Sequence, residues 1–213
     1  MLGFLICAAG VVALSLASEW LWSNKIFSGE GQRKFFHISV GVFGSFWPWI
    51  TSWQYIRLLV VLLLAAAVFN RRKTIFNFGF SVRRNTYGEI YILPAVIICS
   101  FMTHNKIFFA VAMLHVALAD GFAALSGVKY GKAHRYKIFG HEKTLVGTLT
   151  FWLFSLCILG IGLLFAGETI SKAQYWTLVI FLPPVLAALE NLTIKGLDNL
   201  VIPIAVVSAL ISI

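Results

Sequence analysis

Apolar runs of near membrane-spanning length recur along this chain, at about 2–22, 36–50, 55–69, 89–103, 107–128, 145–166, 173–190 and 197–213. A helix needs roughly 20 predominantly apolar residues to cross a bilayer core. In lipid a backbone must satisfy its own hydrogen bonds, which leaves helices or closed barrels. Several of the runs lack the period-two alternation of a barrel strand. Composition points the same way. The chain is 60% hydrophobic and 12% charged, whereas a soluble domain carries about 25% charged residues. The expectation is an all-α, polytopic integral membrane helical bundle of about eight transmembrane helices, with seven as the other count that fits. Residues 1–213 are expected to form a single membrane-embedded domain, with no internal repeat and no low-complexity segment. The first run lacks a charged leading region and a cleavage site, so it is expected to be a helix and not a signal peptide. The fourth is short and carries Pro94.

The basic residues give the runs a direction. Segments 23–35, 70–88, 129–144 and 191–196 hold 14 of the 17 Lys and Arg residues, leaving Arg57, Lys106 and Lys172 elsewhere. With eight spans these four segments share one side. The positive-inside rule makes that side cytoplasmic and puts both termini outside. All the acids except Glu168 lie in those segments or near the helix ends beside them. A polar site mixing carboxylates and cations is therefore expected at the cytoplasmic face. The net charge of +9 is explained by topology and anionic phosphates, and no nucleic-acid partner is expected. Cys7, Cys99 and Cys157 sit in apolar runs without metal-binding spacing and are expected to be packing residues.

Asp120 is the least expected residue. It lies about eight residues inside the fifth run, and an acid at the bilayer centre costs roughly 2.5–3.5 kcal/mol even on a lenient scale. It must face the bundle interior or a polar cavity. Downstream come Gly127, Lys129, Gly131 and Lys132, a glycine-rich basic exit that lets backbone approach phosphate oxygens. His115, mid-run, is expected to be a packed interhelical histidine.

Other polar groups recur at ends of runs on the same side. Arg33 and His37 share a helix face, with Lys34 beside them; they fit phosphate capture supported by a hydrogen-bonding histidine, or a snorkelling pair. Arg83 and Arg84 precede Gly88-Glu89; Glu89 suits a helix N-terminus or a bound cation. Lys143 and the free N–H groups after Thr144, a plausible N-cap, fit phosphate. Glu190 ends one run, where an acid is electrostatically unfavourable. Asp198 and Asn199 start the next, and Asn199 can offer an oxygen to Mg²⁺.

The segments RKFFHISVG, RRNTYGEIYILP, LADGFAALSGVKYGK, KTLVGT and ENLTIKGLDNLVIP, in this order over residues 33–203, resemble the membrane CTP-dependent lipid kinases. That family includes dolichol kinase, phytol kinase and CTP-dependent diacylglycerol kinase, and is related to the phosphatidate cytidylyltransferase group. The resemblance implies transfer of a phosphoryl group from CTP to the hydroxyl of a membrane lipid alcohol, of phytol, geranylgeraniol, polyprenol or dolichol type. Diacylglycerol phosphorylation and CDP-lipid synthesis are the alternatives, and a transporter is the remote one. On the kinase reading Asp120, Glu190 and Asp198 are catalytic and hold Mg²⁺. Arg33, Lys34, Arg83, Arg84, Gly127, Lys129, Gly131, Lys132 and Lys143 bind nucleotide phosphates, and His37, Glu89 and Asn199 support them.

Overall fold

The computed structural model describes residues 1–26, 30–73 and 87–213, without the side chains of residues 30, 70–73, 89 and 168. The expectations for Arg83 and Arg84, and for the Glu89 side chain, lie outside the described residues.

Helices occupy all eight expected runs. They are α1 (Leu2–Ser23), α2 (Glu30–Ser45), the short α3 (Trp47–Ile50), α4 (Trp53–Lys73), α5 (Gly88–Met102), α6 (Lys106–Leu114), α7 (Gly121–Tyr130), α8 (Leu145–Gly162), α9 (Lys172–Leu192) and α10 (Asp198–Ile211). The second expected run is displaced and divided. α2 starts at Glu30, so Arg33 and Lys34 sit inside a helix and not in the loop before it. It ends at Ser45, and α3 restarts with Pro48 in its first turn, where a missing N–H costs nothing.

Four segments are long and apolar enough to cross a membrane: Leu2–Ser23, Lys106–Ala133, Leu145–Gly167 and Lys172–Leu192. Trp53–Phe69, Ile90–Met102 and Asp198–Ile211 are shorter apolar helices. Side chains such as Leu5, Val12 and Leu16 on α1, Leu149 and Leu153 on α8, and Ile180 and Phe181 on α9 are exposed. Apolar surface of that extent suits hydrocarbon and not water. The protein is a helical membrane protein.

α6 and α7 form one continuous rod, joined by a π-helical turn at His115–Asp120. This rod is the centre of the bundle: 67% of its span-length window is buried, against 22% for α1. α2, α8 and α10 pack along it, α9 flanks α8 and α10, and α5 lies between α4 and α10. Phe109, Phe151, Leu159, Leu186, Ile202 and Leu210 fill the core.

The glycine-rich exit differs from expectation. Residues 121–130 remain helical, 131–133 make a 3₁₀ turn, and the remainder folds as an antiparallel hairpin of β1 (Arg135–Ile138) and β2 (His141–Thr144). Tyr136 pairs with Lys143 in its register. The turn residues Phe139 and Gly140 both have positive φ, +47° and +78°, the sign pattern of a two-residue type I′ turn. Thr144 then caps α8 as expected, its Oγ1 accepting from the Gly147 N–H at 3.1 Å.

The turn before α10 docks on the start of α5. Tyr87 N–H donates to the Lys195 carbonyl at 3.1 Å. Gly196 has φ +89°, and a Cβ there would overlap the Gly88 backbone. Gly196→Ala is therefore expected to destabilise the protein by about 1–3 kcal/mol, read as a lower unfolding temperature in detergent. A wild-type melting curve would show that the docking is not required.

Candidate functional site

Five elements bring charge together. α2 contributes Lys34 and His37, the rod contributes Asp120, and β2 contributes Lys143. Glu190 stands in the last turn of α9, α10 begins with Asp198 and Asn199, and α5 starts beside Asn199.

Lys34 is 3% exposed. Its Nζ donates to Asp120 Oδ2 at 2.7 Å and approaches the Asp120 carbonyl at 3.5 Å. His37 Nε2 lies 2.9 Å from the Val116 carbonyl and 3.4 Å from Asp120 Oδ2. A carbonyl only accepts, so Nε2 carries the ring proton. Arg33 also acts electrostatically on Asp120. The expectation that Asp120 faces the interior is met.

A second pair lies nearby. Lys143 Nζ donates to Glu190 Oε1 at 2.6 Å and to the Glu190 backbone carbonyl at 2.9 Å. The ammonium thus neutralises an acid at a helix C-terminus and satisfies a carbonyl that the helix leaves open. The same corner is tied by the hydroxyls of Tyr136 and Thr148, which meet each other and lie 2.8 Å and 3.1 Å from Asn191 Oδ1. Their two protons serve two of these three contacts at a time, and the amide oxygen only accepts. These three residues were not singled out from sequence. For Thr148 and Asn191 the signal was a hydroxyl and an amide inside the KTLVGT and ENLTIKG segments; Tyr136 lies in neither.

Asp198 has no ion pair among the described residues. It lies within electrostatic reach of Asp120, Glu190, Lys34 and Lys143. Asp120, Glu190 and Asp198 thus stand among Lys34, Lys143 and the field of Arg33. Asn199 is buried next to them with Oδ1 unpartnered among the described residues. A Cβ on Gly88 would come within 2.5 Å of Asn199 Nδ2, so α5 fixes the amide from behind. Pro203, one turn on, has no N–H to offer the Asn199 carbonyl. Carboxylate oxygens beside an amide oxygen with no partner among the described residues are hard donors of the kind that suits Mg²⁺. Among the described residues, no three His, Cys, Asp or Glu side chains already converge as a metal cluster.

The remaining candidates lie apart from this centre. Lys129 and Lys132 are exposed, and Lys129 Nζ sits 5.0 Å from the Tyr130 ring centroid. Gly127 and Gly131 serve a helix crossing. Cβ atoms there would come within 2.7 Å and 2.6 Å of Thr144. His115 is buried, but its Nδ1 bonds the Val111 carbonyl of its own helix at 2.7 Å. The expected interhelical bond is thus replaced by an intrahelical one.

A curated phytol kinase from Synechocystis sp. is 31% identical over 214 residues, spanning 97% of this chain and 88% of that protein. The chain belongs to the phytol kinase family. No family model and no solved structure matches it. The match covers every element of the cluster just described, so membership extends to α2, the rod, the hairpin and the α9–α10 corner.

Within this family member, Lys34 and Asp120 depend on each other. Removing one partner of a buried ion pair costs about 3–5 kcal/mol, because the other charge stays buried. Lys34→Met is expected to lower the unfolding temperature, and the Lys34→Met/Asp120→Asn double variant to regain most of the loss. Additive losses in a double-mutant cycle would show that the two side chains are uncoupled.

Proposed function

We propose that this protein phosphorylates an isoprenoid alcohol, of phytol, geranylgeraniol, polyprenol or dolichol type, with CTP as phosphoryl donor and Mg²⁺ as cofactor. The observation that carries this reading is the likeness to a phytol kinase along 97% of the chain. The choice of CTP rests on the family resemblance of the ordered motifs. The reaction is placed at the cytoplasmic face, where the basic segments gather.

The alcohol's tail lies among the lipid-facing helices and its hydroxyl reaches the cluster. Asp120, Glu190 and Asp198, with Asn199 Oδ1, are the groups that would hold Mg²⁺. When bound, the ion supplies charge neutralisation on the phosphate oxygens. Lys34, Lys143 and Arg33 neutralise charge on the transferring phosphoryl group. Lys129 and Lys132, exposed at the exit of the rod, meet the rest of the nucleotide, and Arg83, Arg84 and Glu89 keep their roles from sequence. The alcohol oxygen forms its bond to the terminal phosphorus as the bond to the nucleoside diphosphate breaks. The hydroxyl proton passes to one of the three carboxylates. Such transfer depends mainly on positioning and charge, which a buried array of paired lysines and acids provides.

The test is incubation of purified protein with labelled CTP or ATP and a panel of phytol, farnesol, geranylgeraniol, a longer polyprenol and diacylglycerol, with products identified by mass. The expected product is the monophosphate of an isoprenoid alcohol. A CDP-lipid would assign the site to nucleotidyl transfer instead. Asp120→Asn is expected to abolish transfer while the protein still inserts and folds, at an unfolding temperature lowered by the unpaired Lys34; full activity in that variant would overturn the role of Asp120.

A further inference from the structure

The rod is not a plain α-helix where it matters most. Its π turn ends on Asp120. π turns are rare and concentrate at functional sites. An α-helix advances about 100° per residue at 3.6 residues per turn, so a local change of winding resets the direction of everything beyond it relative to α6. The aim of Asp120 is therefore a property of this turn.

α2, α8 and α10 all pack on the turn, and the side-chain donor to one of its carbonyls comes from α2. His37 Nε2–H donates to the Val116 carbonyl and leans toward Asp120 Oδ2, at 2.9 Å and 3.4 Å. Two glycines permit that approach. A Cβ on Gly41 would come within 2.7 Å of Ala117 Cβ, and one on Gly121 within 2.5 Å of Ile38 Cγ1. The contacts at 37, 38 and 41 lie on one face of α2, and those at 116, 117 and 121 fall within the turn and just after it. A carbonyl has two lone pairs, so Val116 can take the imidazole donor in addition to a backbone one.

We infer that His37 is a positioning residue: by donating Nε2–H to Val116 across a glycine-cleared contact, it holds the π turn and aims Asp120 at Lys34 and the other acids. This rests on the kinase reading for the consequence in catalysis, and on geometry alone for the turn. The device is an N–H donor in a fixed place, so a donor other than imidazole should replace it.

The experiment compares His37→Ala, His37→Gln, Gly41→Ala and Gly41→Ala/Ala117→Gly in the full chain, with labelled CTP and phytol as probes. His37→Ala is expected to lower kcat by about 10–100-fold, the usual effect of losing a supporting hydrogen bond, with KM for phytol unchanged. His37→Gln, which keeps an N–H at similar reach, is expected to regain most of the loss and to show the wild-type pH profile. Gly41→Ala is expected to behave like His37→Ala, and Ala117→Gly to restore it by reopening the contact. Hydrogen exchange of the 116–121 amides, read without substrates, is expected to quicken in His37→Ala and Gly41→Ala only. Wild-type kcat and exchange in His37→Ala would overturn the inference. So would a His37→Gln variant no better than His37→Ala, or one whose pH profile loses a limb. If the wild type phosphorylates no lipid alcohol, the kinase reading fails, and the exchange measurement alone decides the inference about the turn.

Discussion

The Lys34–Asp120 ion pair is the constraint around which the rest is arranged. Taking a carboxylate and an ammonium out of water costs several kcal/mol per ion, and their attraction offsets that only with good geometry and additional hydrogen bonds. Asp120 has those in Lys34 Nζ at 2.7 Å and His37 Nε2 at 3.4 Å. Both come from α2 and are three residues apart, so they stand on one face of it. The pair therefore fixes the height and rotation of α2 against the rod. It also explains why α2, the least apolar of the long helices, is held against the most buried one.

The second pair performs the same task at the other wall. Lys143 ends a hairpin strand and grips both the side chain and the carbonyl of Glu190. Tyr136, opposite Lys143 in the register, grips Asn191. A strand pair of four residues each is unstable in isolation. Here it is fastened to α9 from both strands at a single rung, which turns a connecting segment into a strut. α10 is fastened separately, through Gly196 against Gly88. The three acids thus arrive on three independently braced elements.

The helices were legible because apolar runs of that length leave a chain few choices. The separation of acids and bases toward one end was legible from the same logic, since charges concentrate where runs stop. Asp120, Lys34, Glu190, Asp198 and Lys143 stood out as charges at or inside run boundaries, and the fold brings them together. The hairpin was not legible. Arg135–Ile138 and His141–Thr144 are short, polar and turn on Phe139-Gly140, so they lack the Asn-Gly or Asp-Gly signal of such turns. The π turn was equally silent, because an extra residue in a long apolar run leaves no periodicity to violate. Gly127 and Gly131 show a related ambiguity: small residues serve close packing as readily as phosphate approach, and the packing against Thr144 had no sequence signal of its own. The start of α2 was misplaced because Arg33 and Lys34 read as loop charges when in fact each has a buried partner or field to answer.

The placement of polar groups follows from the burial gradient across the bundle. α1, α8 and α9 spend apolar faces on lipid, whereas the rod is enclosed. An acid on an outer helix would have to reach the interface or be neutralised. On the rod it can be surrounded by fixed donors instead. The same enclosure keeps Asn199 Oδ1 from water, so its unpartnered lone pairs retain their full capacity for a cation or donor. A site of buried lysines and acids, expensive for folding, is therefore affordable only where the most buried helix passes the ends of its neighbours, and that is the level at which Asp120 stands.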